Sequence, residues 1–65
     1  MIKVKDFFEN VCCDGHYVLK EKVNGFWSPL GGGSPDIVSR RFPDYYIMCM
    51  YSVEGVIFLL VTKGN

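Results

Sequence analysis

Apolar residues in the last third of the chain fall into two short runs separated by a turn. Residues 45–51 and 56–61 are rich in the aromatic and β-branched side chains that are typical of strands. Between them, Gly55 can supply the positive φ that a tight hairpin turn needs. The pattern predicts that residues 44–62 form a β-hairpin around which the rest of the chain is organised.

Both strands of this hairpin carry apolar side chains on both faces, because successive residues of a strand point to opposite sides. In the second strand the two sets are Val56, Phe58 and Leu60, and Ile57, Leu59 and Val61. In the first strand they are Tyr45, Ile47, Cys49 and Tyr51, and Tyr46, Met48 and Met50. A strand with water on one face would alternate apolar and polar residues instead. We therefore expect protein to cover both faces of the hairpin.

An amphipathic helix is predicted near the N-terminus, over residues 3–12. Val4, Phe7, Phe8 and Val11 follow the i, i+3, i+4, i+7 spacing of one helix face, and Gly15 follows the end of the pattern. Ten residues make a helix about 15 Å long, at about 1.5 Å per residue. Such a helix covers one face of a small sheet and leaves the other face for a partner.

A second hairpin is predicted between this helix and the central hairpin. Residues 16–23 form its first strand, and Asn24-Gly25 is the preferred two-residue hairpin turn. The returning strand starts at residues 26–28, and Pro29 either ends it or marks it as an edge strand.

The connection to the central hairpin contains a glycine run and a short helical turn. Residues 31–33 are all glycine and predict a flexible connection. Ser34 is a good N-cap, Pro35 suits the first helical position, and Pro43 ends the turn. The fold class is α+β: the N-terminal helix packs on a mostly antiparallel four-stranded sheet of two hairpins, with this short helical turn between them, in one small domain over residues 1–65.

The composition adds limits on function. The chain is 49% hydrophobic and has seven basic and seven acidic residues, so it should fold and has no overall charge that would attract nucleic acid or an anionic membrane. The first ten residues mix charged and apolar side chains, unlike a secretory signal. We expect a cytoplasmic protein that does not bind membranes.

Four soft metal ligands are present, but their spacing does not favour a zinc site. They are Cys12, Cys13, His16 and Cys49. Adjacent cysteines at a helix end point about 100° apart, so they seldom bind one ion. We interpret the cysteines as packing thiols, with Cys12 and Cys49 buried, and predict no metal and no cofactor.

One alternative is a small-ligand or nucleotide-binding protein that sequesters its ligand. Its anion site would use the glycine run and the following helix start, with Gly32, Gly33, Ser34, Arg40 and Arg41. The run lacks the Lys-Ser/Thr ending of a phosphate-binding loop, and Asp36 would repel an anion. A plain connection is therefore the preferred interpretation.

Nucleic-acid binding is a weaker alternative. A basic patch of Arg40, Arg41, Lys20 and Lys22 would act beside the stacking surfaces of Trp27, Tyr45 and Tyr46. Seven acidic residues dilute any field that would steer a nucleic acid to it.

Catalysis has the least support, because nothing places the only histidine, His16, in a recognisable order with a nucleophile and an orienting group. The leading hypothesis is a non-enzymatic protein-binding module, expected to form a homodimer. Its partner-binding or dimer face is the face of the sheet that the helix does not cover. The sequence leaves open whether the even or the odd set of the hairpin lies on that face, and the even set, Tyr46, Met48, Met50, Phe58 and Leu60, is the predicted binding set.

Several segments together resemble small proteins carried by phages and mobile elements of Gram-positive bacteria. They are the opening residues 4–8, the Asn24-Gly25 hairpin, the helix start at residues 34–38 and the hydrophobic closing hairpin. The resemblance implies a phage accessory protein that binds and inhibits a host component, such as an immune effector of the CRISPR type. It brings no active-site residues with it.

Overall fold

The protein is an α+β domain in which two helices pack on a five-stranded sheet. The computed structural model describes residues 1–10 and 14–63. In chain order, the elements are β1 (Ile2–Lys3), α1 (Val4–Asn10), β2 (His16–Val23), β3 (Phe26–Gly33), α2 (Pro35–Arg41), β4 (Tyr45–Val53) and β5 (Val56–Lys63). Neither helix of the described residues is long and apolar enough to cross a membrane.

The sheet is mixed, and its strand order is β1-β4-β5-β2-β3. The two predicted hairpins, β2–β3 and β4–β5, are antiparallel, but they join through a parallel pairing of β2 with β5. The prediction of four mostly antiparallel strands was wrong on this pairing and on β1, which adds a fifth strand beside β4. The connection from β2 to β5 passes through β3, α2 and β4, and no local pattern marks it.

Both hairpin turns are closed by two residues with positive φ. Asn24 and Gly25 have φ values of 50° and 85°, and Glu54 and Gly55 have 50° and 81°. This is the backbone of the preferred hairpin turn, whose twist matches that of the flanking strands. The turn at Asn24-Gly25 and the role of Gly55 are confirmed.

Strand β3 does not stop at Pro29 and runs on through the glycine run, so the prediction of a flexible connection was wrong. Gly32 has no room for a side chain, and Gly31 lies in a tight contact. A Cβ atom on Gly32 would lie 2.4 Å from the carbonyl oxygen of Tyr17, and one on Gly31 would lie 3.1 Å from the ring of Phe42. Pro29 is tolerated because β3 is an edge strand of the sheet.

The helices begin close to where the sequence predicts. Helix α1 spans Val4–Asn10, and the predicted contributions of Val11, Cys12 and Cys13 lie outside the described residues. Helix α2 has Ser34 as its N-cap, with the hydroxyl oxygen accepting a hydrogen bond from the backbone N–H of Ile37 at 3.5 Å. It ends where the N–H of Phe42 donates to the carbonyl of Val38. The predicted capping by Ser34 is confirmed.

The core lies between the helices and one face of the sheet, called the helix face. Its buried side chains come from both helices and from the two central strands: Val4, Tyr17, Leu19, Val38, Leu59 and Val61. Phe8 of α1 packs edge-on against the ring of Tyr17, with ring centroids 4.9 Å apart. The odd-numbered residues of β5 therefore face the helices, and the even-numbered residues face away from them.

A β-bulge at Met48 reverses the face of the sheet to which each later residue of β4 points. Ile47 lies opposite Val61, but the next paired residue, Cys49, lies opposite Leu60. One extra residue in a strand exchanges the two faces for everything after it. The even and odd sets predicted for residues 45–51 therefore do not persist through the strand.

Candidate binding surface on the open face of the sheet

The face of the sheet opposite the helices, called the open face, has no element packed on it among residues 1–10 and 14–63, since both helices contribute to the core on the other side. The register of the strands places the following side chains on it: Lys3, Val18, Lys20, Lys22, Trp27, Tyr46, Cys49, Tyr51, Val53, Val56, Phe58 and Leu60. Most of them are apolar or aromatic, and the charged ones are all lysines.

A three-membered stack crosses the centre of the open face. The rings of Tyr51 and Phe58 are nearly parallel, with centroids 5.0 Å apart and planes inclined by 13°. The ammonium group of Lys20 lies 4.6 Å from the centroid of the Phe58 ring. Because β5 lies between β4 and β2, Tyr51 and Lys20 approach Phe58 from opposite sides. Both faces of the Phe58 ring are thus occupied, and the side chain is half-buried.

Two further lysines lie near aromatic rings on the same face. The ammonium group of Lys22 is 6.0 Å from the centroid of the Trp27 ring, and that of Lys3 is 5.8 Å from the centroid of Tyr46. A cation at such distances is attracted by the negative face of the ring, by about 0.5–1 kcal/mol at exposed sites. The three lysines thus lie beside aromatic rings along the sheet surface, with Lys22 exposed and Lys3 and Lys20 half-buried.

The charges of this neutral chain are unevenly distributed between the two sides of the sheet. Glu21 is the only acidic residue in the strands, and it lies opposite Val61 on the helix face. The other acidic residues of the described chain lie in helices, loops and turns, and Asp36 is paired with Arg40 at 3.0 Å within α2. The open face consequently carries positive charge without a strand carboxylate to neutralise it.

The predicted partner-binding set is only partly on this face. Tyr46, Phe58 and Leu60 are on it, whereas Met50 lies opposite the buried Leu59 and so belongs to the helix face. Met48 sits in the bulge and is exposed. The prediction assumed unbroken alternation in β4, which the bulge interrupts.

The predicted partner-binding set left out Tyr51, and it left out Lys20, Lys22 and Trp27, which were considered only for the nucleic-acid alternative. The alternation of residues in β2 predicts that the two lysines point to the face opposite Tyr17 and Leu19. The stacking of Tyr51 on Phe58 depends on the bulge and had no signal.

The residues of the predicted anion site have separate structural roles. Gly32 and Gly33 are strand residues fitted against β2 and α2, and Ser34 caps α2. Arg40 is paired with Asp36, and the guanidinium of Arg41 lies 5.3 Å from the centroid of the Phe42 ring. The arrangement offers no cradle of converging donors for a phosphate.

The predicted basic patch is divided between the two sides of the molecule. Arg40 and Arg41 lie in α2 on the helix face, whereas Lys20 and Lys22 lie on the open face. Tyr45 also faces the helices, with its ring 5.9 Å from that of Phe42. The four cations therefore cannot act on one ligand.

The candidate metal ligands do not converge in the described part of the chain. Cys12 and Cys13 lie outside it, and no group of three or more His, Cys, Asp or Glu side chains there could hold a metal ion. Cys49 is a free, exposed thiol on the open face, so the prediction of a buried thiol was wrong. His16 is exposed at the start of β2.

Comparison of the chain with protein-family models, curated proteins and solved structures finds no match. The chemistry of the open face is therefore the basis for a functional hypothesis.

Proposed function

We propose that the protein is a non-enzymatic protein-binding module whose open face binds an acidic surface of a partner protein. The observation that carries the proposal is the charge distribution: three lysines lie beside aromatic rings on a face that has no strand carboxylate. Ring edges carry partial positive charge, so the edge of the Phe58 ring adds to the field of the lysines. Carboxylates and carbonyl groups among apolar side chains would complement such a surface.

The geometry of the central stack favours a protein over a single-stranded nucleic acid. Bases bind to aromatic residues by stacking on free ring faces. Both faces of the Phe58 ring are taken by Tyr51 and Lys20. A protein partner needs only the exposed ring edges and the ammonium groups, which remain available.

The same charges disfavour pairing of two open faces in a dimer. Lys20 lies at the centre of the face and Lys22 beside it. Two copies in face-to-face contact would bring these like charges together, which disfavours such a pairing. A different protein of opposite charge is therefore the better occupant.

The resemblance to phage and mobile-element proteins supports a role in inhibiting a host component. The partner would be a component of the host cytoplasm, such as an immune effector, which the protein inhibits by occupying its acidic surface. Inhibition of this kind needs no catalytic group.

The test is a pull-down from untreated and from nuclease-treated lysate of a Gram-positive host, with two matched double variants. Lys20→Glu with Lys22→Glu reverses the charge of the open face, whereas Lys5→Glu with Lys63→Glu makes the same change in net charge elsewhere. We expect the wild type and the second variant to retain the same acidic protein and the first variant to lose it. Equal retention by both variants, or loss of the partner on nuclease treatment, would overturn the proposal.

A further inference from the structure

The outer edge of β4 is largely unpaired. Strand β1 pairs only with Tyr46 and Ile47, and the bulge at Met48 follows directly. Beyond the bulge, residues 49–53 pair with β5 on one side and have no strand partner on the other among the residues that the structure describes. The backbone N–H and C=O groups that point outward from this segment are available to another strand.

Beyond the bulge, this edge lacks the charged residues and prolines that usually prevent pairing with other chains. Residues 49–53 read Cys-Met-Tyr-Ser-Val, without a charge or a proline. All five are exposed, including Met50 at 52% and Val53 at 51%. The opposite edge of the sheet, β3, is protected by Pro29. The contrast indicates that the β4 edge is left open for a strand.

We propose that the β4 edge pairs with the same edge of a second copy of the chain, in an antiparallel arrangement with a two-fold axis at Tyr51. An identical strand can pair with the outward N–H and C=O groups of this segment. Because residues 49–53 are uncharged, no like charges meet across the junction. Directly opposed residues of an antiparallel pair point to the same face, so the axis must pass midway between the two copies of one residue. Tyr51 is the middle residue of the unpaired segment.

The register follows from this axis. Cys49 would lie opposite Val53 of the second copy, Met50 opposite Ser52, and Tyr51 opposite Tyr51. The axis is perpendicular to the sheet, so the helices of both copies lie on one side and both open faces on the other. The pairing would continue the sheet from one copy to the next and place two open faces side by side. It rests on the edge alone and is independent of what the open face binds.

The first test measures association in solution. Sedimentation velocity over a range of protein concentrations should show a reversible monomer–dimer equilibrium for the wild type. Met50→Lys places two ammonium groups at diagonal positions across the junction and should shift the equilibrium at least tenfold toward monomer. The control is Val23→Lys, because Val23 is similarly exposed (47%) but lies at the tip of the other hairpin. Circular dichroism checks that both variants remain folded.

The second test reports the register. The Cα atoms of directly opposed residues are about 4.5–5.5 Å apart, within the range of disulfides. Val53→Cys should therefore give a disulfide-linked dimer through Cys49 under mild oxidation, well beyond the amount formed by the wild type or by Val23→Cys. A wild type that is monomeric at all concentrations, or equal cross-linking by all three proteins, would overturn the proposal.

Discussion

Replacing Gly32 by alanine tests whether the glycine run is a packed strand or a flexible connection. The added Cβ atom would lie 2.4 Å from the carbonyl oxygen of Tyr17 and 3.3 Å from the Cα atom of Val18. Both are backbone atoms of β2, so no side-chain rotation relieves the contact. Strand β3 must move away from β2, and the pairing between Val18 and Gly32 must lengthen.

The two interpretations of the run predict effects of opposite sign. Overpacking that forces backbone shifts lowers the free energy of unfolding by about 1–3 kcal/mol, and this rigid contact belongs at the upper end, about 2–3 kcal/mol. In a domain of this size 1 kcal/mol shifts the melting temperature by about 4–8 °C, so a loss of about 10–20 °C is expected. In a flexible connection the same substitution would stabilise the protein by about 0.4–1 kcal/mol, through the unfolded state.

The measurement is thermal and urea denaturation followed by circular dichroism, with Gly31→Ala as the matched control. A Cβ atom on Gly31 meets the ring of Phe42 at 3.1 Å, and a side chain can move more easily than a backbone. We expect a loss of about 1 kcal/mol for the control. A Gly32→Ala protein that melts at or above the temperature of the wild type would refute the description of residues 31–33 as a strand.

Two other predictions concern the faces of the sheet and the first hairpin turn. Leu59→Glu buries a charge in the core and should unfold the domain, whereas Phe58→Glu on the open face should leave it folded and abolish partner binding. Circular dichroism measures the folding of each variant, and the pull-down measures its partner binding. If both variants unfold, the assignment of the two faces is wrong. Gly25→Val should lower stability by about 1–2 kcal/mol, because a branched side chain is strained at a φ of 85°. An unchanged urea midpoint would count against that turn.

The parts of the fold that the sequence predicts are those determined by neighbours in the chain. Asn24-Gly25 forms a tight turn because its two residues adopt positive φ, and Ser34 caps α2 because its hydroxyl reaches an N–H three residues on. Each feature depends on a few consecutive residues. The hydrophobic pattern likewise predicts the two long hairpins and α1.

Several of the errors concern contacts between segments that are far apart in sequence. Nothing near His16 indicates that it lies beside Val56 in a parallel pair. The sequence of the glycine run suggests flexibility, because the atom that excludes a side chain from Gly32, the carbonyl oxygen of Tyr17, belongs to another strand. Strand β1 is only two residues long, too short for any periodicity to appear.

The candidate binding surface was predicted in outline only. One helical layer covering one face of an apolar hairpin implied a free face, and Phe58 and Leu60 are on it. The bulge at Met48 then placed Tyr51 on the open face and Met50 on the helix face. The charge of the surface emerged only when the register brought Lys20 beside Phe58.

The parallel pairing of β2 with β5 has a consequence for how fast the protein folds. Each hairpin closes locally, in about 1–10 μs for an isolated hairpin. Joining the hairpins brings His16 to Val56, about 40 residues away along the chain. The intervening chain must lose conformational entropy before burial of the shared core stabilises the pairing. Until then Leu19 and Leu59, which share the finished core, stay in separate hairpins with their apolar faces exposed. We therefore expect the meeting of the two hairpins to be the slow step of folding and the period of greatest aggregation risk.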